Sequence, residues 1–126
     1  MKLHHLGIAT KNIEKTKEFV YSTHTVIKEI GPIWDESLNA NVIMIDISEG
    51  ASIELVSGPV VESTIKKGIS LYHYCYEVDD ITKSIKIFKD AGGSIILNPT
   101  PAILFNGRLV SFILTPIGMI ELLNKN

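Results

Sequence analysis

The sequence predicts an α+β fold of two tandem βαβββ modules, which together form a cupped mixed sheet with the helices on its outer face. Three observations carry this. Residues 4–13 (HHLGIATKNI) reappear as residues 72–81 (YHYCYEVDDI), an offset of 68 positions from His5 to His73. Residues 52–56 (SIELV) reappear as residues 119–123 (MIELL), an offset of 67 positions from Glu54 to Glu121. Between these anchors each copy carries one helical pattern followed by β-rich runs, and a repeat at fixed spacing takes precedence over local propensity because it sets the whole fold.

The first copy opens on a strand that leads into a helix at about 12–24, with Asn12 as its polar N-cap. Its apolar stripe is thin, namely Ile13, Phe19 and Val20 among lysines and glutamates, so its register with the second copy places it. The second helix, about 80–91, starts at Asp80, carries Ile81, Ile85 and Phe88 at i, i+4 and i+7, and stops at Gly92-Gly93. Strand-like runs follow at 26–30, 42–47 and 52–56, and again at 94–97, 109–114 and 119–123. Glu49-Gly50 and Pro116-Ile117-Gly118 close the last pair of each copy as a hairpin. Module 1 spans about 1–58, a linker about 59–69 and module 2 about 70–126, within a single domain of 126 residues. The stretches 31–41 and 98–108 read as the loops that select a substrate.

Composition excludes several classes. An apolar share of 45 % and a charged share of 21 % are those of a globular protein. The net charge of −2 and the single arginine, Arg108, leave no basic footprint for nucleic acid. No apolar run reaches the roughly 18 to 20 residues that span a bilayer, and a cytoplasmic location is expected. Cys75 is the only cysteine, so an internal disulfide is excluded. Its apolar, aromatic strand predicts a buried, inert thiol.

Strand alternation brings four residues to one face. Glu54 is flanked by Ile53 and Leu55, Glu121 by Ile120 and Leu122, and His5 by Leu6 with Ile8 beyond. If the apolar neighbours turn under the helices, His5, Glu54, His73 and Glu121 share the opposite, concave face. Taken singly, each has a duller reading, as a core histidine or a solvated carboxylate. The recurrence of one histidine-to-glutamate element, spaced 49 residues from 5 to 54 and 48 from 73 to 121, outweighs it. Two imidazoles and two carboxylates on a concave face call for a divalent cation; nitrogen and oxygen donors suit zinc, cobalt, nickel, manganese or ferrous iron. Two positions of an octahedron would remain for water or substrate. By the same alternation His4 faces away from His5, His24 ends a lysine-rich helix, and Tyr72, Tyr74 and Tyr76 pack toward a helix. Arg108, in the Asn106-Gly107-Arg108 turn, reads as a surface charge, with an anionic substrate group as the alternative partner.

The motifs at 4–9 (HHLGIA), 71–81 (LYHYCYEVDDI) and 118–123 (GMIELL) resemble those of the vicinal oxygen chelate superfamily, which includes glyoxalases, bleomycin-resistance proteins and dioxygenases. The resemblance covers essentially the whole chain and implies a glyoxalase-like fold with metal ligands at His5, Glu54, His73 and Glu121. Within the superfamily the likeness is greatest to methylmalonyl-CoA epimerases, through His5-Leu6-Gly7-Ile8-Ala9, His73-Tyr74-Cys75-Tyr76-Glu77-Val78-Asp79-Asp80-Ile81 and the Glu54-Leu55-Val56-Ser57-Gly58-Pro59 element. It implies a metal-dependent isomerase acting through an enolate on an acyl-CoA or related thioester, with Glu121 and then Glu54 as the catalytic carboxylate, and a homodimer. The alternatives are a glyoxalase I-type lactoylglutathione lyase and a non-catalytic small-molecule binder. Against the lyase, the glutathione-binding arginine and asparagine of glyoxalase I correspond to Ala9, or a neighbour of it, and to Gly58.

Overall fold

The computed structural model describes all 126 residues, Met1–Asn126. Its elements run β1 (Lys2–Ala9), α1 (Ile13–Thr23), β2 (Val26–Asp35), β3 (Ala40–Ile47) and β4 (Ser52–Ser57), then β5 (Leu71–Val78), α3 (Ile81–Asp90), β6 (Ser94–Pro101), β7 (Leu109–Thr115) and β8 (Gly118–Asn124). This is the α+β class with βαβββ twice, as the repeat predicts. The linking stretch is ordered as a 3-10 turn (Pro59–Val61) and a short helix, α2 (Glu62–Lys66). Two compact units result, His5–Tyr72 and His73–Asn126, the latter together with Met1–His4.

In the unit His5–Tyr72 the strands lie in the order β2-β3-β4-β1, with β1 parallel to β4 and the other pairs antiparallel. Asn12 caps α1 by accepting from the Lys15 amide at 3.1 Å. The helix lays Val20 on Ile43, Ile45 and Leu55, with Ile13 packed beside them. Ile43, Ile45 and Leu55 are fully buried, each contributing about 1.5–3 kcal/mol of burial free energy. Phe19, counted in the predicted stripe, instead stands 66 % exposed. Ile13 and Val20 are seven residues apart and share a face, and the residue before Val20 is rotated about 100° away from it.

The other unit repeats the plan as β5-β8-β7-β6, with β5 parallel to β8 and antiparallel pairs beyond. Asp80 caps α3 by accepting from the Lys83 amide at 3.1 Å. Ile81 and Ile85 of the helix join Val78, Ile113, Ile120 and Leu122 in one cluster, with Phe88 against it. The helix ends in a Schellman arrangement: Gly93 N–H donates to Phe88 O at 2.8 Å and Gly92 N–H to Lys89 O at 3.0 Å. Gly92 has φ +107°, and a Cβ on Gly93 would lie 2.8 Å from Ile113 Cγ2, so both glycines are required.

The stretches 31–41 and 98–108 are not the open loops expected. β2 runs on to Asp35 and β6 to Pro101, which leaves a four-residue turn at 36–39 and a connection at 102–108 that holds a 3-10 turn, Ile103–Phe105. Glycine and proline read as breakers in sequence, yet β2 and β6 are edge strands, where a proline withholds no ladder bond. Register shifts between Ile30 and Ile33 and between Leu97 and Thr100 absorb the Gly31-Pro32 and Asn98-Pro99 steps.

Candidate metal centre

Each module builds one histidine–glutamate pair from its two parallel strands. In the first, β1 and β4 run side by side with Gly7 opposite Glu54 and His5 opposite Ser52. Alternation sends Ile8, Ile53 and Leu55 toward α1, where they pack, and turns His5 and Glu54 to the other face. His5 is fully buried and Glu54 is 3 % exposed, with 3.6 Å between Nε2 and Oε1. In the second, Cys75 lies opposite Glu121, Tyr74 and Tyr76 pack on the α3 side, and His73 and Glu121 face away from the helix. Both are 2 % exposed, and 3.3 Å separates His73 Nε2 from Glu121 Oε1. Phe112 is the cross-strand neighbour of Glu121 and meets the His73 ring edge-on, with centroids 5.1 Å apart and planes at 86°.

The two pairs fit a cation. A carboxylate this deeply buried needs a compensating charge. At 3.6 Å the His5–Glu54 approach is longer than a hydrogen bond, and 3.3 Å is long for a charge-assisted one. Two donor atoms about 2.0–2.2 Å from a common divalent ion, at tetrahedral or octahedral angles, stand about that far apart. Imidazole nitrogen and carboxylate oxygen are donors that zinc, cobalt, nickel and manganese accept.

The remaining candidates fall outside these pairs. The His4 ring packs edge-on against Phe105 at 5.5 Å. His24 is exposed, its Nδ1 2.9 Å from Thr23 Oγ1. Cys75 is buried. Arg108 corrects the expectation of a solvated loop charge: Nη2 donates to Glu77 Oε2 at 2.6 Å and Nε to Asn124 O at 2.8 Å. It thus ties the start of β7 to β5 and β8. The guanidinium holds the Glu77 carboxyl below its ordinary range, against an opposing desolvation effect. Two neighbours of the pairs escape sequence reasoning, Phe112 and the Ser52–Asp46 hydrogen bond of 2.7 Å. The parity of Ser52, two residues before Glu54, is the one signal that points to the latter.

A model of the Glyoxalase/Bleomycin resistance protein/Dioxygenase superfamily matches residues 4–112. The chain belongs to that superfamily. No curated protein matches it in sequence. Among solved structures, a hypothetical protein from Bacillus halodurans C-125 is 23 % identical with a TM-score of 0.77, over 99 % of this chain and 94 % of that one. Methylmalonyl-CoA epimerase from Mycobacterium tuberculosis is 15 % identical with a TM-score of 0.78, over 99 % and 88 %. A point variant of the Streptomyces coelicolor methylmalonyl-CoA epimerase in complex with 2-nitronate-propionyl-CoA is 17 % identical with a TM-score of 0.76, over 98 % and 96 %. At these identities the likeness is one of fold. No helix of this superfamily member is long and apolar enough to cross a membrane.

Proposed function

We propose that this superfamily member is a metal-dependent isomerase that epimerises an acyl-CoA or related acyl thioester, methylmalonyl-CoA being the model substrate, through an enolate. The observation that carries the reading is the duplicated buried pair, His5 with Glu54 and His73 with Glu121, in a chain of this superfamily. We assign all four as ligands of one divalent cation, cobalt, zinc, nickel or manganese. Support for the thioester comes from the solved relatives, one of which is a methylmalonyl-CoA epimerase in complex with methylmalonyl-CoA and NH4+.

A divalent cation held by His5, Glu54, His73 and Glu121 would supply Lewis-acid polarisation at a substrate carbonyl, which would acidify the neighbouring C–H. The chain's residues handle the proton. Glu121 is assigned as the base that removes the α-proton, which is returned to the opposite face of the same carbon, with Glu54 second in that role. Phe112 pairs across the strands with Glu121 and meets the His73 ring edge-on, and the burial of Glu121 strengthens the electrostatic interactions of its carboxylate. A homodimer belongs to this reading, and the exposed apolar side chains Ile27, Ile30, Ile33 and Trp34 of β2 support it.

The test is exchange of the α-proton of methylmalonyl-CoA with deuterium from solvent, by metal-loaded protein, against turnover of a methylglyoxal–glutathione adduct. Exchange without adduct turnover supports the epimerase, and the reverse result replaces it with a lyase. Glu121→Gln is expected to lower exchange by at least 100-fold, and His73→Ala to lose stoichiometric metal. Undiminished turnover by Glu121→Gln removes its assignment as base.

A further inference from the structure

The two modules carry the same histidine and glutamate, and what stands beside them differs. In the first module the pairing register sets His5 opposite Ser52 and Lys28 opposite Asp46, and Ser52 Oγ donates to Asp46 Oδ1 at 2.7 Å. A row His5–Ser52–Asp46–Lys28 therefore crosses β1, β4, β3 and β2. Met44 is opposite Glu54 with no register break in that pair of strands. Asp46, two residues past Met44, thus shares the face of Glu54, the face away from α1. In the second module Leu114 is opposite both Met119 and Ser94, and the pairing of Tyr74 with Ile120 brings Met119 beside His73. The matching row is His73–Met119–Leu114–Ser94. Where one module presents a hydroxyl and a carboxylate next to its ligand pair, the other presents two apolar side chains.

Helical cover explains neither choice, because both rows lie on the face away from their helix. Asp46 is half-buried, and the bond from Ser52 fixes its rotamer, so little ordering entropy remains to be lost when a ligand meets it. A half-desolvated carboxylate set against a hydrocarbon loses hydrogen bonds to water without replacement. A site of this kind discriminates strongly against a ligand lacking the matching donor. Lys28, next in the row, disfavours a cationic donor and leaves a neutral one.

We propose that Asp46, held by Ser52, is a specificity-determining residue that accepts a hydrogen bond from a hydroxyl on the acyl group. The substrate class is then a hydroxylated acyl thioester in preference to its unsubstituted analogue. This rests on the thioester reading above.

Calorimetric titration of the cobalt-loaded full chain with 3-hydroxybutyryl-CoA and with butyryl-CoA tests it. The hydroxylated thioester is expected to bind at least about tenfold tighter, the worth of a hydrogen bond to a charged acceptor. Asp46→Leu, which installs the residue type of the second module's row, should bring the affinity ratio to about one. Asp46→Asn keeps the shape and one acceptor oxygen and should give an intermediate ratio, which guards against a folding defect in the first variant. Equal affinities in the parent protein, or an unchanged ratio in Asp46→Leu, overturn this proposal alone. Binding of neither thioester overturns the thioester reading together with it.

Discussion

Arg108 is the chain's only arginine, and its guanidinium is committed to Glu77 Oε2 and the carbonyl of Asn124. Both side chains of the pair are about a quarter exposed, so the bond is partly screened and its net worth is about 1 kcal/mol. The arginine's hydrogen bond, and secondarily its charge, lowers the Glu77 pKa from the ordinary 4.5. A depressed folded-state value means that the pair's stabilisation is complete above the unfolded value of 4.5 and is lost as pH falls through the folded one. Glu77→Gln should therefore be less stable than the parent at pH 7 by about 1 kcal/mol, with the difference shrinking below about pH 4.5. Urea denaturation at pH 7, 5 and 3.5 reads this directly. A constant difference across that range would mean that the ion pair contributes nothing to folding.

At the scale of elements, α3 shows what makes a helix boundary legible. Its stop signal, Gly92-Gly93, serves two needs: φ +107° at Gly92, and a close approach at Gly93, where a Cβ would sit 2.9 Å from Phe88 O and 2.8 Å from Ile113 Cγ2. Gly92→Ala should cost about 1–2 kcal/mol through the backbone. Gly93→Ala should cost about 1–3 kcal/mol through overpacking between α3 and β7. Denaturant midpoints that fall at unchanged slope would check both; unaltered midpoints would mean that the helix end relaxes freely. The apolar spacing and caps of α3 are local, so they can be read along the chain, and Asn12 and Asp80 are caps in the structure as predicted. α1 is harder to read, because its buried face rests on Ile13 and Val20 among charged residues. The tails of β2 and β6 are hidden for another reason: whether Gly31-Pro32 or Pro99 breaks a strand depends on its being at a sheet edge, which no local pattern encodes. The same distinction governs the site. His5 with Glu54 and His73 with Glu121 are legible because a repeat and strand parity suffice. Their neighbours Phe112 and Asp46 depend on which residues of β7 and β3 lie across, and register is set by hairpins and pairing between strands.

For the molecule as a whole, the decisive property is that folding buries two imidazoles and two carboxylates, one of each in either compact unit. Such groups cost free energy to desolvate, so a cation that binds only the native state should raise stability according to its concentration over Kd, about 2.7 kcal/mol at a hundredfold excess over Kd. For a chain of 126 residues that is a rise of roughly 10 °C in Tm. Thermal unfolding after EDTA treatment and after titration with cobalt or zinc measures it. If one ion unites both pairs, His5→Ala and His73→Ala should each abolish the metal-dependent rise, and the double variant should lose no more of it than either single one. If each pair instead holds its own ion, each single variant should retain about half the rise and only the double variant should lose it all. That outcome would replace the single four-ligand centre with two independent sites and remove the basis for assigning one open coordination sphere to the substrate.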